Sequence, residues 1–306
     1  MRKLSPIPHL TADPKTVHDL LAAGTPRWRL HAADVERPIH GVVMRQHNLP
    51  ATSKLYLGLA LKLHRGQFFT RRTAARMHAM PVARTSDDRI ELGAIRPSRP
   101  LRRPQTTGHQ LRPGALGRIP ETSPWLPSIP DTWCLLAQVA GRAELLAAGD
   151  WAISGVSRFD RPPSTRRGLV AAAARFAGTN GTELRREILP LIRVGAESPA
   201  ESELRLVLAD AGLPEPTIQC PVRVAGRTLH ADLGYPALKI AIEYEGAYHF
   251  GSDAVEQARR DITRVRAMEA AGWRVFRVTS HDLRNPTALI RELLAAIDAA
   301  ERVSEE

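Results

Sequence analysis

Three consecutive stretches, residues 218–224, 227–233 and 238–245, alternate apolar and polar side chains with the period of two that belongs to half-buried strands, and Ala225-Gly226 supplies a turn between the first two. The pattern predicts a β-hairpin extended by a third strand. It constrains the chain further because its polar positions carry acid. In the second stretch Thr228, His230 and Asp232 are expected on one face. In the third, Lys239, Ala241, Glu243 and Glu245 share a face, opposite Ile240, Ile242 and Tyr244. Asp232 and Glu243 are eleven residues apart, so the hairpin would bring both carboxylates within reach of one ion, with Glu245 two residues further along. Ionised carboxylates crowded in a sheet are costly unless a cation neutralises them. Mg²⁺ suits such a cluster, since it takes one or two carboxylates and completes its shell with water and phosphate oxygens. The alternative is an acidic sheet end paired with neighbouring arginines.

Helices are predicted on both sides of these strands. Ser198 reads as an N-cap, with Pro199 at the first helical position and Glu201 in the capping-box position. Leu204, Val207, Leu208 and Ala211 form the apolar face of the helix that follows, and Glu201 lies in register with Leu204, Arg205 and Leu208. Glu201 is thus a candidate ligand, or simply the capping-box acid. After the strands, a helix over 252–271 places Gln257, Arg260, Asp261 and Arg264 on one side. Its arginines could pair with phosphate or with the acidic cluster, or form a solvated, salt-bridged face. Trp273, Val275, Phe276 and Val278 mark a last, buried strand.

The rest of the chain has a different electrostatic character. Residues 51–130 hold 14 Lys+Arg against 4 Asp+Glu, whereas residues 181–306 hold 16 against 20. A basic surface concentrates polyanions and supports sequence-independent phosphate contacts, although an arginine-rich solvated surface would look the same. Arg96, Arg99, Arg102 and Arg103 stand between strand-like pieces at 89–96 and 106–111 and are the candidate phosphate contacts. Short helices at 16–23 and within 26–34, followed by a β-like segment at 35–45, outline a winged helix-turn-helix over residues 1–50. Helices are expected at 54–63 and 70–80, then at 131–140 with Asp131 as N-cap, 143–153, 164–176 and 182–192. Residues 51–195 thus form a mixed α+β and helical middle region. Two cysteines far apart, Cys134 and Cys220, without a Cys-x-x-Cys companion, give no argument for a disulfide framework or a structural zinc site. No apolar run reaches membrane-spanning length and the start lacks a signal-peptide core, so a cytoplasmic protein with no membrane partner is expected.

The run HADLGYPALKIAIEYEGAYHF, preceded by SPAESELR and followed by QARRDITRVRAMEAAGWRVFRVTSHDL, resembles the PD-(D/E)XK nuclease superfamily, in the branch similar to very-short-patch mismatch repair endonucleases and to the domain of unknown function 559. The likeness covers residues 198–300 and implies an αβββαβ restriction-endonuclease-like core over 196–306, within an α/β multi-domain chain. A looser resemblance, carried by LLAAGTPRWRLHAADVERPIHGVV and FFTRRTAARMHAM, is to AbiEi-like winged-helix antitoxin segments. The resemblance implies an Mg²⁺- or Mn²⁺-dependent endonuclease acting on DNA in repair or defence, with no small-molecule cofactor. Asp232 and Glu243 would be its metal-binding acids and Glu201 the helix Glu. Glu245 departs from the pattern by standing where Lys is expected. It would add to metal binding, while His249 takes the general acid/base role, which suits a side chain titrating near neutrality. The same residues leave open a non-catalytic DNA-binding regulator on a nuclease scaffold, and an RNA substrate.

Overall fold

The computed structural model describes residues 7, 10, 13–83, 89–117, 125–154, 162–246 and 254–305, and the chain is mixed α/β, with eleven α-helices and three small sheets among those residues. None of these helices is long and apolar enough to cross a membrane. The chain divides into two compact units, Met1–Thr73 with Asp87–Pro127, and Ala74–Ser86 with Ser128–Glu306.

The first unit opens with β1 (Lys15–Thr16), α1 (Val17–Ala22), a 3-10 turn (Arg27–His31) and the strands β2 (Val35–Ile39) and β3 (Val42–Arg45), which form an antiparallel sheet in the order β1-β3-β2. The Thr16 hydroxyl caps α1 by accepting the Asp19 N–H at 3.0 Å, and Ile7, Leu20, Leu30 and Val43 close a small core beneath it. The helix expected within 26–34 is only this 3-10 turn. Buried Arg29 clamps Asp34 through two bonds of 2.7 and 2.6 Å, which fixes the chain's exit into β2 after a single turn.

α2 (Ala51–Ala60), β4 (Gln67–Phe69), α3 (Arg71–Met77), β5 (Ile90–Ile95) and β6 (Thr106–Leu111) follow, with β4 antiparallel and β6 parallel to β5. The β5–β6 connection carries Arg96, Arg99, Arg102 and Arg103, all exposed. Its backbone is pinned by Gln110 Nε2 donating to the Ser98 carbonyl at 2.8 Å and Gln67 Nε2 donating to that of Arg99 at 2.7 Å. At the start of α3 the Glu91 carboxylate accepts the Arg72 N–H at 2.9 Å, and the Arg71 guanidinium stands 2.8 Å from His109 Nε2.

The second unit contains α4 (Ile129–Leu136), α5 (Arg142–Ile153), α6 (Arg166–Arg175) and α7 (Thr182–Ile188), the last continued by a 3-10 turn. Ser128, and not the expected Asp131, caps α4. Its hydroxyl accepts the Asp131 N–H, while Asp131 is buried against Arg175 at 2.5 Å. Then come α8 (Pro199–Asp210), β7 (Thr217–Val224), β8 (Arg227–Tyr235), β9 (Ile240–Glu245), α9 (Ala254–Ala270), β10 (Arg274–Thr279), α10 (Ser280–Arg284) and α11 (Thr287–Glu305). The strands make one sheet in the order β10-β9-β8-β7, antiparallel except where β10 runs parallel to β9. Ala225 and Gly226, with φ of 45° and 80°, form the two-residue turn between β7 and β8, a conformation that matches the right-handed twist of a hairpin. Lys239, expected within the third strand, has φ 51° and ends a short 3-10 turn before β9. One face of the sheet packs Leu233, Tyr235, Ile242 and Val278 against Leu204 and Leu208 of α8 and Leu293 of α11. The other packs Cys220, Ala231 and Ala241 against Met268 of α9.

α8 is also tied to α5. Asp150, 1% exposed, accepts Ser202 Oγ at 2.7 Å, Arg205 Nη1 at 2.7 Å and the Arg193 N–H at 2.6 Å. Removing the cation alone leaves a buried carboxylate uncompensated. Arg205→Met is expected to lower unfolding stability by on the order of 3–5 kcal/mol in urea titrations, and Asp150→Leu combined with Arg205→Met to lower it less. In the first unit, burial and then the Arg71 charge depress the His109 imidazole from 6.5 to about 4. Between those values the unfolded chain binds a proton that the folded unit refuses, so stability falls as pH drops from 6.5 to 4. Melting curves of His109→Gln should show a shallower decline across this window than those of the wild type.

Candidate metal centre

The pairing of β8 with β9 decides where the acids meet. Leu233 pairs with Ile242, and one step further the register would set Asp232 opposite Glu243. The ladder stops there, and the Asp232 carboxylate accepts the Tyr244 N–H at 2.7 Å. Side-chain alternation also changes phase at this point. Leu229 and Ala231 pack on the α9 side of the sheet, whereas Leu233 and Tyr235 pack on the α8 side. β7 switches in the same way between Ile218 and Cys220, and Gln219, between them, has φ 49°. The expectation that Thr228, His230 and Asp232 share a face is therefore corrected. Thr228 and His230 are exposed and, by alternation with Leu229 and Ala231, point away from α9, while the interruption turns Asp232 toward it.

The result is a cleft of about 160 Å³ lined by Asp232, Glu243 and Glu245 from the sheet and by Asp261 and Arg264 from α9. Glu243 is 5% exposed. One of its oxygens is bonded to the Arg264 guanidinium, which also donates to the His230 carbonyl at 2.9 Å. Its other oxygen, Oε1, is buried without a hydrogen-bond partner among the described residues. Burial, reinforced by the charge of Asp232 and opposed by Arg264, pushes the Glu243 carboxyl up to about 8. Burial also raises Asp232, against the pull of the Tyr244 N–H and Arg264. Glu243 thus senses the charge of Asp232 across one cleft.

The remaining candidates fall into distinct places. Glu201 is 5% exposed, and its Oε2 accepts the Glu197 N–H at 2.9 Å while the Ser198 hydroxyl accepts its own N–H at 3.2 Å. It closes the cap of α8 and does not line the cleft, though burial first and the Asp232 charge among later causes raise its carboxyl. Glu245 lines the cleft and is ion-paired with Arg277 of β10. That partner follows from the parallel β9–β10 pairing, which no local periodicity reveals. Arg260 is exposed at the edge of a neighbouring cleft that also contains Arg264. His249 lies outside the described residues. Arg96, Arg99, Arg102 and Arg103 belong to the first unit.

Among the described residues no group of three His, Cys, Asp or Glu side chains is arranged to hold a metal ion. What the fold assembles is a pair, Asp232 and Glu243, with one buried oxygen unsatisfied. This fits a hard divalent cation that needs only one or two carboxylates and otherwise binds water. Glu243→Gln removes the repulsion at that pair. It should leave the melting temperature in metal-free buffer unchanged or raised, while weakening Mn²⁺ binding in calorimetric titration at least about tenfold, since even residues that only orient a metal's ligands are worth that much. Wild-type Mn²⁺ affinity in this variant would remove Glu243 from the site.

No protein-family model matches the chain. Two uncharacterized proteins of Mycobacterium tuberculosis, one from strain CDC 1551 / Oshkosh and one from strain ATCC 25618 / H37Rv, are each 32% identical to it over 182 residues. The matched segment is 54% of this chain, and the chain spans 65% of the length of these curated relatives.

Proposed function

We propose that the chain is a metal-dependent endonuclease that hydrolyses DNA phosphodiester bonds. The observation that carries this reading is the pair Asp232 and Glu243 facing one cleft, with Glu243 Oε1 unsatisfied and arginines of α9 at the rim. The order α8-β7-β8-β9-α9-β10 supports it, being the αβββαβ succession of PD-(D/E)XK nucleases, as does the sequence likeness over 198–300. In the first unit, the β2–β3 hairpin after α1 and the 3-10 turn supports a winged-helix contact with DNA, and the exposed arginines between β5 and β6 support phosphate binding.

In this reading Asp232 and Glu243 hold Mg²⁺ or Mn²⁺. When bound, such an ion polarises the phosphodiester and lowers the pKa of an attacking water. The Tyr244 N–H fixes the orientation of the Asp232 carboxylate. Arg264 neutralises Glu243 in the free chain, and on releasing it presents a guanidinium matched to a phosphate oxygen. Arg260 adds a second positive group on the same helix. His249 is the residue to which the resemblance gives proton transfer.

One observation favours a second reading. Glu245 occupies the position where the superfamily has Lys, and it is engaged by Arg277, so no cation of β9 itself faces the reacting phosphate. A non-catalytic DNA-binding regulator or antitoxin-like protein on the same scaffold would need none.

Incubation with supercoiled, nicked, mismatched and single-stranded DNA in Mg²⁺ or Mn²⁺ separates the two. The nuclease reading expects cleavage that falls at least about a hundredfold in Asp232→Ala, as for loss of a group stabilising transition-state charge. Full cleavage by that variant ends the assignment. Absence of cleavage, together with salt-sensitive binding that weakens when Arg96, Arg99, Arg102 and Arg103 become Gln, selects the regulator.

A further inference from the structure

Beside the acidic cleft lies a second one of about 400 Å³, between the β7–β8 hairpin and α9, and the two share Arg264. Val224 and Leu229 of the hairpin and Ala267 of α9 give it an apolar floor. Its polar lining is strongly basic, with Arg227 on the hairpin and Arg259, Arg260 and Arg264 on the helix. Among the described residues Arg227 and Arg259 form no ion pair.

Two guanidinium groups without an ion pair among the described residues, Arg227 and Arg259, beside one apolar patch narrow the ligand. Positive groups lining one cleft favour a ligand that carries more than one negative charge. Inorganic phosphate or polyphosphate would satisfy the rim and leave the floor wet, while an apolar molecule would leave the cations unanswered. A nucleotide unit answers both, with phosphates at the rim and a base face on the floor, and the cleft lies within the size range of small-ligand pockets. In a continuous duplex both faces of each base are covered by stacking. The floor is therefore open only to a strand whose base has left the stack.

We infer that this cleft binds a single-stranded segment of DNA flanking the bond presented to the acidic pair, seating one unstacked base on Val224, Leu229 and Ala267 while Arg227 and Arg259 hold the adjoining phosphates. The inference rests on the DNA reading of the neighbouring site and extends it to the form of the substrate. It makes the protein selective for frayed, flapped or unpaired DNA over intact duplex.

The test is fluorescence anisotropy of the full chain in EDTA, where no metal-dependent cutting intervenes, with labelled oligonucleotides of equal length. The wild type is expected to bind a single strand at least about tenfold tighter than a duplex, and an abasic strand of the same charge several-fold more weakly than the intact one. Arg227→Gln with Arg259→Gln should lose at least about tenfold in single-strand affinity and flatten the log affinity against log salt slope by about 1.4, the share of two phosphate contacts. Arg227→Lys with Arg259→Lys should retain most of the binding, and unchanged melting curves of both pairs establish that the fold is intact. Equal affinity for duplex, equal affinity for the abasic strand, an unaffected Gln pair, no metal-free binding by the wild type, or displacement by polyphosphate at equal charge would each overturn the inference. Cleavage assays on the same preparations keep the two claims apart. A chain that cuts duplex DNA in Mg²⁺ while the Gln pair has no effect loses only the cleft, and one that never cuts yet shows the metal-free pattern loses only the nuclease.

Discussion

Glu243 is a carboxylate placed where the sheet has almost nothing to offer it. Its neighbours on the same face, Ala231, Ala241 and Cys220, are small and apolar, and the acid that acts on it most strongly is Asp232. Among the described residues the cation comes from α9, so the helix has two tasks: Met268 closes the apolar layer and Arg264 answers the charge. A change that shifts α9 moves both together. Half of the Glu243 carboxylate has no hydrogen-bond partner among the described residues all the same, an expensive arrangement for a purely structural side chain.

The same logic recurs through the second unit and changes the meaning of the chain's positive charge. Arg185, 2% exposed, donates to the carbonyls of Cys134, Phe176 and Asn180, and so stitches the end of α4 to the loop before α7. Arg175 is spent on buried Asp131, Arg205 on Asp150, and Arg142 on Glu187 and Asp210. Arginine serves these roles because its planar fork satisfies several acceptors at once without losing its proton. The count of 43 Lys and Arg residues therefore overstates the cations a polyanion would meet. The exposed arginines between β5 and β6 remain available, as do Arg227 and Arg259 at the cleft beside Ala267, whereas many others are internal fasteners.

Local chemistry was legible in the residues. Alternation located β6 and the sheet strands to within two residues, and Ser198-Pro199 marked the start of α8. Non-local geometry was not. The change of phase at Asp232 depends on the backbone of Gln219 in the neighbouring strand, so counting by twos along β8 placed His230 on the wrong side. The Glu245–Arg277 pair depends on a parallel register between strands separated by a helix. Asp150 looked like any polar residue on an amphipathic helix until its three donors, spread from Arg193 to Arg205, converged on it. Arg227 and Arg259 escaped notice because a shared cleft between hairpin and helix leaves no periodic trace.

The tie between α5 and α8 also governs how the polypeptide can be divided. A fragment beginning at residue 196 would carry Ser202 and Arg205 without the acid they surround, and would turn a desolvated guanidinium out into water beside an open apolar flank. The αβββαβ portion is thus not a portable cassette that could be grafted elsewhere by cutting at its first helix. The unit that must be kept together extends back at least to α5.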